Sequence, residues 1–184
     1  MCTIIKRVNS MEVLAIIRDK DIFPGYKEQK INYQVREASR AVIFDKSGQI
    51  AVLHVAQGDY YKLPGGGLEK GESQLAALLR ECLEETGCYL QNIFPLGETL
   101  EYRDQKQMMQ RSYCYGAEVK GDKGEPSFDK GERAEGFRVE WMDLDEALKI
   151  FSRQQTDDYQ GQFVVRRELV ILQKAKALHA QKNK

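Results

Sequence analysis

Glu81, Glu84 and Glu85 stand at positions i, i+3 and i+4. At about 100° per residue that spacing puts three carboxylates on one face of a helix. Like charges this close cost roughly 0.2–0.5 kcal/mol per pair in an isolated helix. A hard divalent cation, bound through carboxylate oxygens and water, would offset that cost. The other side of the same segment carries Leu75, Leu78, Leu79, Cys82 and Leu83, an apolar stripe suited to a core. Ahead of it, Leu63-Pro64-Gly65-Gly66-Gly67 reads as a turn whose backbone can come close to a ligand or metal. Glu72 lies at the helix start, where the macrodipole favours an anion. Arg80 follows about two turns later and can reach back to tie Glu72 and the glycine turn to the helix. Gly87 occupies the place of a helix-closing glycine.

These residues resemble the Nudix box, Gly-x5-Glu-x7-Arg-Glu-U-x-Glu-Glu-x-Gly-U, where U is a bulky apolar residue. Gly66, Glu72, Arg80, Glu81, Glu84, Glu85 and Gly87 fill every fixed position. The two U positions hold Cys82 and Cys88, a mild departure, since cysteine behaves as a small hydrophobe when buried. Seven fixed residues at ordinary usage coincide by chance on the order of 10⁻⁸ per window. The flanks, Leu63 to Gly67 and Glu140 to Leu148, also look like the family, so the resemblance runs from about Ala38 to Phe151.

The resemblance implies an α/β chain with a Nudix-type α/β/α sandwich built on a mixed sheet. It implies a hydrolase in which water attacks a phosphorus of a nucleoside diphosphate linked to another group. Mg²⁺ or Mn²⁺ would be required, to offset phosphate charge and lower the pKa of water. By resemblance, Glu81, Glu84 and Glu85 hold the ion, the Gly65 carbonyl is a further ligand, and Arg80 supports the site. The general base is expected from the charged loop 120–136. Glu135 is the first choice there, because it precedes Glu140-Trp141 as the loop glutamate does in MutT-like members; Glu132 and Glu84 are its competitors. Arg40, Lys62 and Arg111 are the expected phosphate-facing cations, with Arg103 also a candidate. Tyr60, Tyr61, Tyr102 and Phe137 offer rings for a base. No signature fixes the substrate. A nucleoside triphosphate pyrophosphatase of MutT type is the first expectation, and a pyrophosphatase of ADP-ribose or another nucleotide sugar the second. A non-catalytic nucleotide-binding module is the remaining alternative, and the intact box argues against it.

The rest of the sequence bounds the setting. The chain has 184 residues, enough for one domain with extensions. The expected division is an N-terminal extension at 1–35, a Nudix domain at 36–155, and a C-terminal helix within 156–184. Lys and Arg total 28, and so do Asp and Glu. The general basic excess of a nucleic-acid binder is therefore missing, and the expected partner is a nucleotide-type small molecule. No apolar run reaches the ~18 residues of a membrane span, and Lys6 and Arg7 interrupt what would be a signal peptide. Cys2, Cys82, Cys88 and Cys114 show neither a CxxC pair nor a zinc spacing, and read as reduced thiols of a cytoplasmic protein. His54 and His179 read as structural or surface residues. A homodimer is compatible with this reading.

Several elements must position the box. Strands are expected at 11–18, at 31–36 as a short edge, and at 38–44 and 49–56 as a hairpin across Asp45 to Gly48. A short strand at 60–63 leads into the glycine turn. Residues 89–102 suggest a strand pair interrupted at Pro95-Leu96-Gly97. Strands follow at 111–119 and 137–142, separated by the long charged loop. Asp143, with Glu146 three residues on, predicts a capping box and a helix to about Phe151. A polar linker and a terminal helix from Gly161 to Ala180 complete the chain, with a frayed tail at 181–184. The apolar side of that last helix is read from Phe163, Val164, Leu169, Val170 and Leu172.

Overall fold

The computed structural model of the chain describes residues 11–27 and 29–182. Met1–Ser10, and Cys2 with them, lie outside the described residues. Within those residues the strands are β1 (Val13–Arg18), β2 (Gln34–Phe44), β3 (Gln49–Val55), β4 (Tyr60–Lys62), β5 (Tyr89–Arg103), β6 (Met108–Lys120) and β7 (Phe137–Asp143). They form one mixed sheet in the order β1-β5-β6-β2-β3-β4, with β7 paired to β3. The helices are α1 (Asp19–Ile22), α2 (Gln74–Thr86), α3 (Lys130–Ala134), α4 (Leu144–Arg153) and α5 (Tyr159–Lys182).

Alternation along β2 sends its side chains to two cores. Ala41 and Ile43 join Leu78 and Cys82 of α2, with Tyr113 and Tyr115 of β6. Val42 and Phe44 join Ala147 and Phe151 of α4 and Ile171 and Leu172 of α5. The result is an α/β/α sandwich, with α2 on one face of the sheet and α4 and α5 on the other.

Several expected elements change. The edge strand at 31–36 is instead the polar start of β2, which pairs in parallel with β6 along its whole length, from Gln34↔Met108 to Phe44↔Glu118. Burial in β2 begins only at Ala38, so its outer half carries no hydrophobic pattern. The strand pair at 89–102 is one strand. Pro95 and Gly97 are absorbed as register shifts against β6, the usual place for such residues inside a sheet. Asp143 does start α4, but its side chain makes no capping bond. The apolar stripe of α2 is narrower than expected: Leu78 and Cys82 are buried, whereas Leu75 and Leu79 are 47% and 43% exposed.

β2 and β3 pair only at Phe44↔Ile50, and then diverge. The glycine turn lies along β2 beyond that point. Ala41 N–H donates to the Pro64 carbonyl (3.0 Å), Ser39 N–H to Gly66 (2.9 Å), and Leu68 N–H to Glu37 (3.0 Å). The sheet thus supplies the template that holds the turn beside α2.

Candidate active site

α2 begins at Ser73, whose Oγ accepts from Ala76 N–H (3.2 Å), and ends at Gly87, which adopts the left-handed conformation (φ 68°) and donates to the Leu83 carbonyl. Between these caps, Arg80 reaches back as its spacing suggests. Its Nε donates to Glu72 Oε1 (3.0 Å), and its Nη2 to Glu72 Oε2 (2.9 Å) and the Gly67 carbonyl (3.1 Å). Its Nη1 donates to Glu81 Oε1 (2.8 Å) and Glu84 Oε2 (3.3 Å). One planar guanidinium therefore ties the turn to two box carboxylates.

Glu85 is 1% exposed. Its Oε1 accepts from Lys62 Nζ (2.8 Å) and its Oε2 from Gly65 N–H (2.5 Å). Burial pushes the Glu85 carboxyl above its ordinary pKa, and the Lys62 charge pulls the other way. Two glycines make the approach possible. Gly65 has φ +130°, and a Cβ there would lie 2.1 Å from the Ser39 carbonyl oxygen. A Cβ on Gly66 would lie 2.3 Å from the Glu81 carboxylate carbon.

The loop 120–136 closes the site. Ser127 N–H donates to the Glu84 carbonyl (2.6 Å), which pins the loop to α2. Beyond it, Asp129 and Glu132 form a capping box that starts α3, a helix not expected from the charged composition of the segment. The Asp-x-x-Glu spacing was the available signal. This short helix brings Glu132 to the box: carboxylate oxygens of Glu81, Glu85 and Glu132 lie within 4.8 Å of one another. Glu132 Oε2 accepts from Asp129 N–H (2.8 Å), and burial raises the pKa of its carboxyl.

The other expected residues fall as follows. Glu135 lines the cleft, but it is exposed and its carboxylate lies outside the three-carboxylate cluster. Glu84 also lies outside that cluster, with its side chain 47% exposed and bonded to Arg80. Lys62 lines the cleft, with its ammonium committed to Glu85 and set 4.5 Å from the Phe137 ring centre. Arg40 and Arg103 line the cleft. Arg111 does not: Nε and Nη2 grip Glu98 at 2.9 Å each, and its guanidinium lies over the Tyr113 ring. Of the four rings, Tyr60 and Phe137 reach the cleft, whereas Tyr61 bonds Glu140 and Tyr102 lies under Arg18. His54 pairs with Asp59, and His179 stacks on Phe44.

The cleft measures about 990 Å³ and has two chemically opposed walls. One holds Glu81, Glu85 and Glu132. The other holds Arg36, Arg40, Arg103 and Arg167, with Glu101 bridging Arg103 and Arg167 at 2.9 and 3.0 Å. Arg36 and Arg167 were not expected from sequence. Arg167 did carry a signal: with Glu168 it interrupts the buried i, i+4 rows of α5, Phe163-Arg167-Ile171 and Val164-Glu168-Leu172. A charge on the buried side of a helix needs partners.

The three carboxylates offer oxygen donors only, which suits a hard divalent cation such as Mg²⁺ or Mn²⁺. Such an ion would be held by Glu81 and Glu85, with the Glu132 carboxylate beside it.

A family comparison matches the NUDIX domain over residues 35–164. Solved structures share the fold. A NUDIX hydrolase from Nitrosomonas europaea is 22% identical with a TM-score of 0.57, covering 81% of this chain and 91% of its own. A MutT protein from Bacillus halodurans is 26% identical with a TM-score of 0.50, covering 62% and 72%. A MutT protein from Methanosarcina mazei Go1 is 17% identical with a TM-score of 0.50, covering 75% and 95%. No curated protein matches the chain.

Proposed function

The chain belongs to the Nudix hydrolase family, and from that premise we propose that it hydrolyses the diphosphate linkage of a nucleoside diphosphate derivative with Mg²⁺ or Mn²⁺. Nucleoside triphosphates are the first substrate class, with release of pyrophosphate and a nucleotide. ADP-ribose or another nucleotide sugar is the second. The observation that carries the reading is the convergence of Glu81, Glu85 and Glu132 in one cleft with Arg36, Arg40, Arg103 and Arg167.

A bound divalent ion would supply positive charge against the phosphates and lower the pKa of the attacking water. Everything else falls to the chain. Lys62 and the Gly65 amide fix both oxygens of Glu85. Arg80 holds Glu81 and keeps the glycine turn against α2. The Gly65 carbonyl stays in this scheme as a further ligand on the same turn. Glu132 is our choice for the carboxylate that accepts the proton of water. Its Oε2 is taken by the Asp129 amide, and Oε1 has no hydrogen-bond partner among the described residues. Arg40 and its neighbours face the phosphates.

The three described cysteines are free and buried, which fits a reducing compartment such as the cytoplasm. No helix of the described residues is long and apolar enough to cross a membrane. The test is hydrolysis with Mg²⁺ across nucleoside triphosphates, ADP-ribose and dinucleotides, with products identified. Cleavage of a phosphoanhydride in at least one class is expected. No hydrolysis of any of them would overturn the reading.

A further inference from the structure

The guanidinium wall is overbuilt for holding one phosphate. Arg36 and Arg40 lie on the same face of β2, four residues apart, a distance of about 13 Å along a strand. Gln110 pairs opposite Arg36 on β6, and Glu101 opposite Gln110 on β5. The wall therefore crosses three strands, about 10 Å more. Arg167 reaches it from α5 and donates to Glu101 (3.0 Å) and to Glu168. Arg103 and Arg167 share Glu101, and Arg167 also holds Glu168, whereas Arg36 and Arg40 make no ion pair among the described residues.

Arg40 shows where the deficit sits. It is 6% exposed, it lines the cleft, and its Nε and Nη1 have no hydrogen-bond partner among the described residues. Buried donors left unmade are costly, and a buried unpaired cation more so. Burial, then the nearby Arg167 charge, hold the Arg40 guanidinium down to about 10. Arg36, exposed by surface area, is lowered as well, by partial desolvation in the cleft and then by the Arg103 and Arg167 charges.

We propose that the wall of Arg40, Arg36, Arg103 and Arg167 is a subsite for a phosphate group additional to the two joined by the cleaved bond. The substrate is then a polyphosphorylated one, a nucleoside triphosphate or a diphosphate whose second moiety bears its own phosphate. A nucleoside diphosphate whose second moiety is an uncharged sugar leaves this subsite unfilled. This rests on the proposed function only for which molecule carries the phosphate, because the anion subsite itself is a binding claim.

The test is calorimetric binding in EDTA, where the carboxylate wall has no metal to offer. Inorganic tripolyphosphate, pyrophosphate and orthophosphate are the probes. Tripolyphosphate should bind wild type at least tenfold tighter than orthophosphate. Arg40→Met, which keeps the stem and removes the charge, should weaken tripolyphosphate at least tenfold, while Glu85→Gln should not weaken it. Should Arg40→Met fail to fold by thermal melt, Arg36→Gln serves in its place, since among the described residues Arg36 donates to the Gln110 side chain alone (2.5 Å). In Mg²⁺ the same variant should lower kcat/KM for triphosphates more than for ADP-ribose. Absence of tripolyphosphate binding in EDTA, or binding that a folded Arg40→Met leaves unchanged, would overturn the proposal. Orthophosphate binding as tightly as tripolyphosphate would also overturn it, by making the wall a site for free phosphate. Arg40-dependent tripolyphosphate binding in a protein that cleaves no nucleotide would leave the subsite standing and remove only the hydrolase reading.

Discussion

Glu85 and Glu132 divide the work of the acidic wall at the scale of single residues. Glu85 is buried and held on both oxygens, so its geometry is fixed before anything binds. Glu132 arrives from a loop and keeps one oxygen free. Glu135, three residues on, presents its backbone carbonyl to Gln57 N–H (3.0 Å) and leaves its carboxylate to solvent. We expect Glu132→Gln to lower kcat by about 10²-fold or more, the scale of general-base loss, with little change in KM. Glu135→Gln should stay within a few-fold of wild type. Steady-state kinetics of the two variants decides it, and the reverse ranking would return the role to Glu135. The resemblance pointed to this loop and put Glu135 first, whereas it is Glu132 that the fold brings to the box carboxylates. The order of the two depends on a one-turn helix set by Asp129 and Glu132, and on Ser127 docking to the end of α2. Arg111 went the other way. Alternation puts it on the face of β6 away from the cleft-lining Gln110, and there Glu98, two residues along β5 from its register partner Leu100, holds it.

At the scale of elements, the glycine turn and α2 act as one unit, because β2 accepts the turn's backbone and Arg80 bridges turn to helix. The box made this unit legible in full: fixed residues at fixed spacing encode local contacts. The cationic wall was only half legible. Its members come from β2, β5 and α5, far apart in sequence, and only the register of the sheet brings them together. β2 itself was half seen, because its outer residues are exposed and carry no apolar alternation. Gly66→Ala probes the unit without removing any charge. The added methyl would meet the Glu81 carboxylate, which must move. The expected result is a fall in kcat/KM of at least tenfold with a melting temperature within a few degrees of wild type. Unchanged kinetics would show that Glu81 needs no fixed position.

On the scale of the whole molecule, α5 ties the sheet to the cleft through Arg167, Glu101 and Arg103, all nearly or fully buried. Burial by itself would raise the Glu101 pKa. Arg167 and Arg103 reverse that and hold it below the ordinary 4.5. The stabilisation it gives is therefore present in full above about pH 4.5 and is lost as pH falls through the lower folded value. Glu101→Gln should cost about 3 kcal/mol near pH 7, since it breaks a buried ion pair on one side only. The gap from wild type should narrow as pH drops below about 4.5. Denaturant unfolding across pH measures this, and a gap independent of pH would mean that the carboxylate charge is not what α5 depends on.

The central claim is that Glu81 and Glu85, beside Glu132, hold a divalent ion that the hydrolysis requires. The most direct measurement is the rate on the best substrate after EDTA treatment and during Mg²⁺ or Mn²⁺ titration, for wild type and Glu85→Gln. The account predicts no turnover in EDTA, recovery by added metal, and a Glu85→Gln rate at least 10²-fold lower in a folded protein. Full activity in metal-free buffer, or a folded Glu85→Gln protein with wild-type turnover, would contradict it.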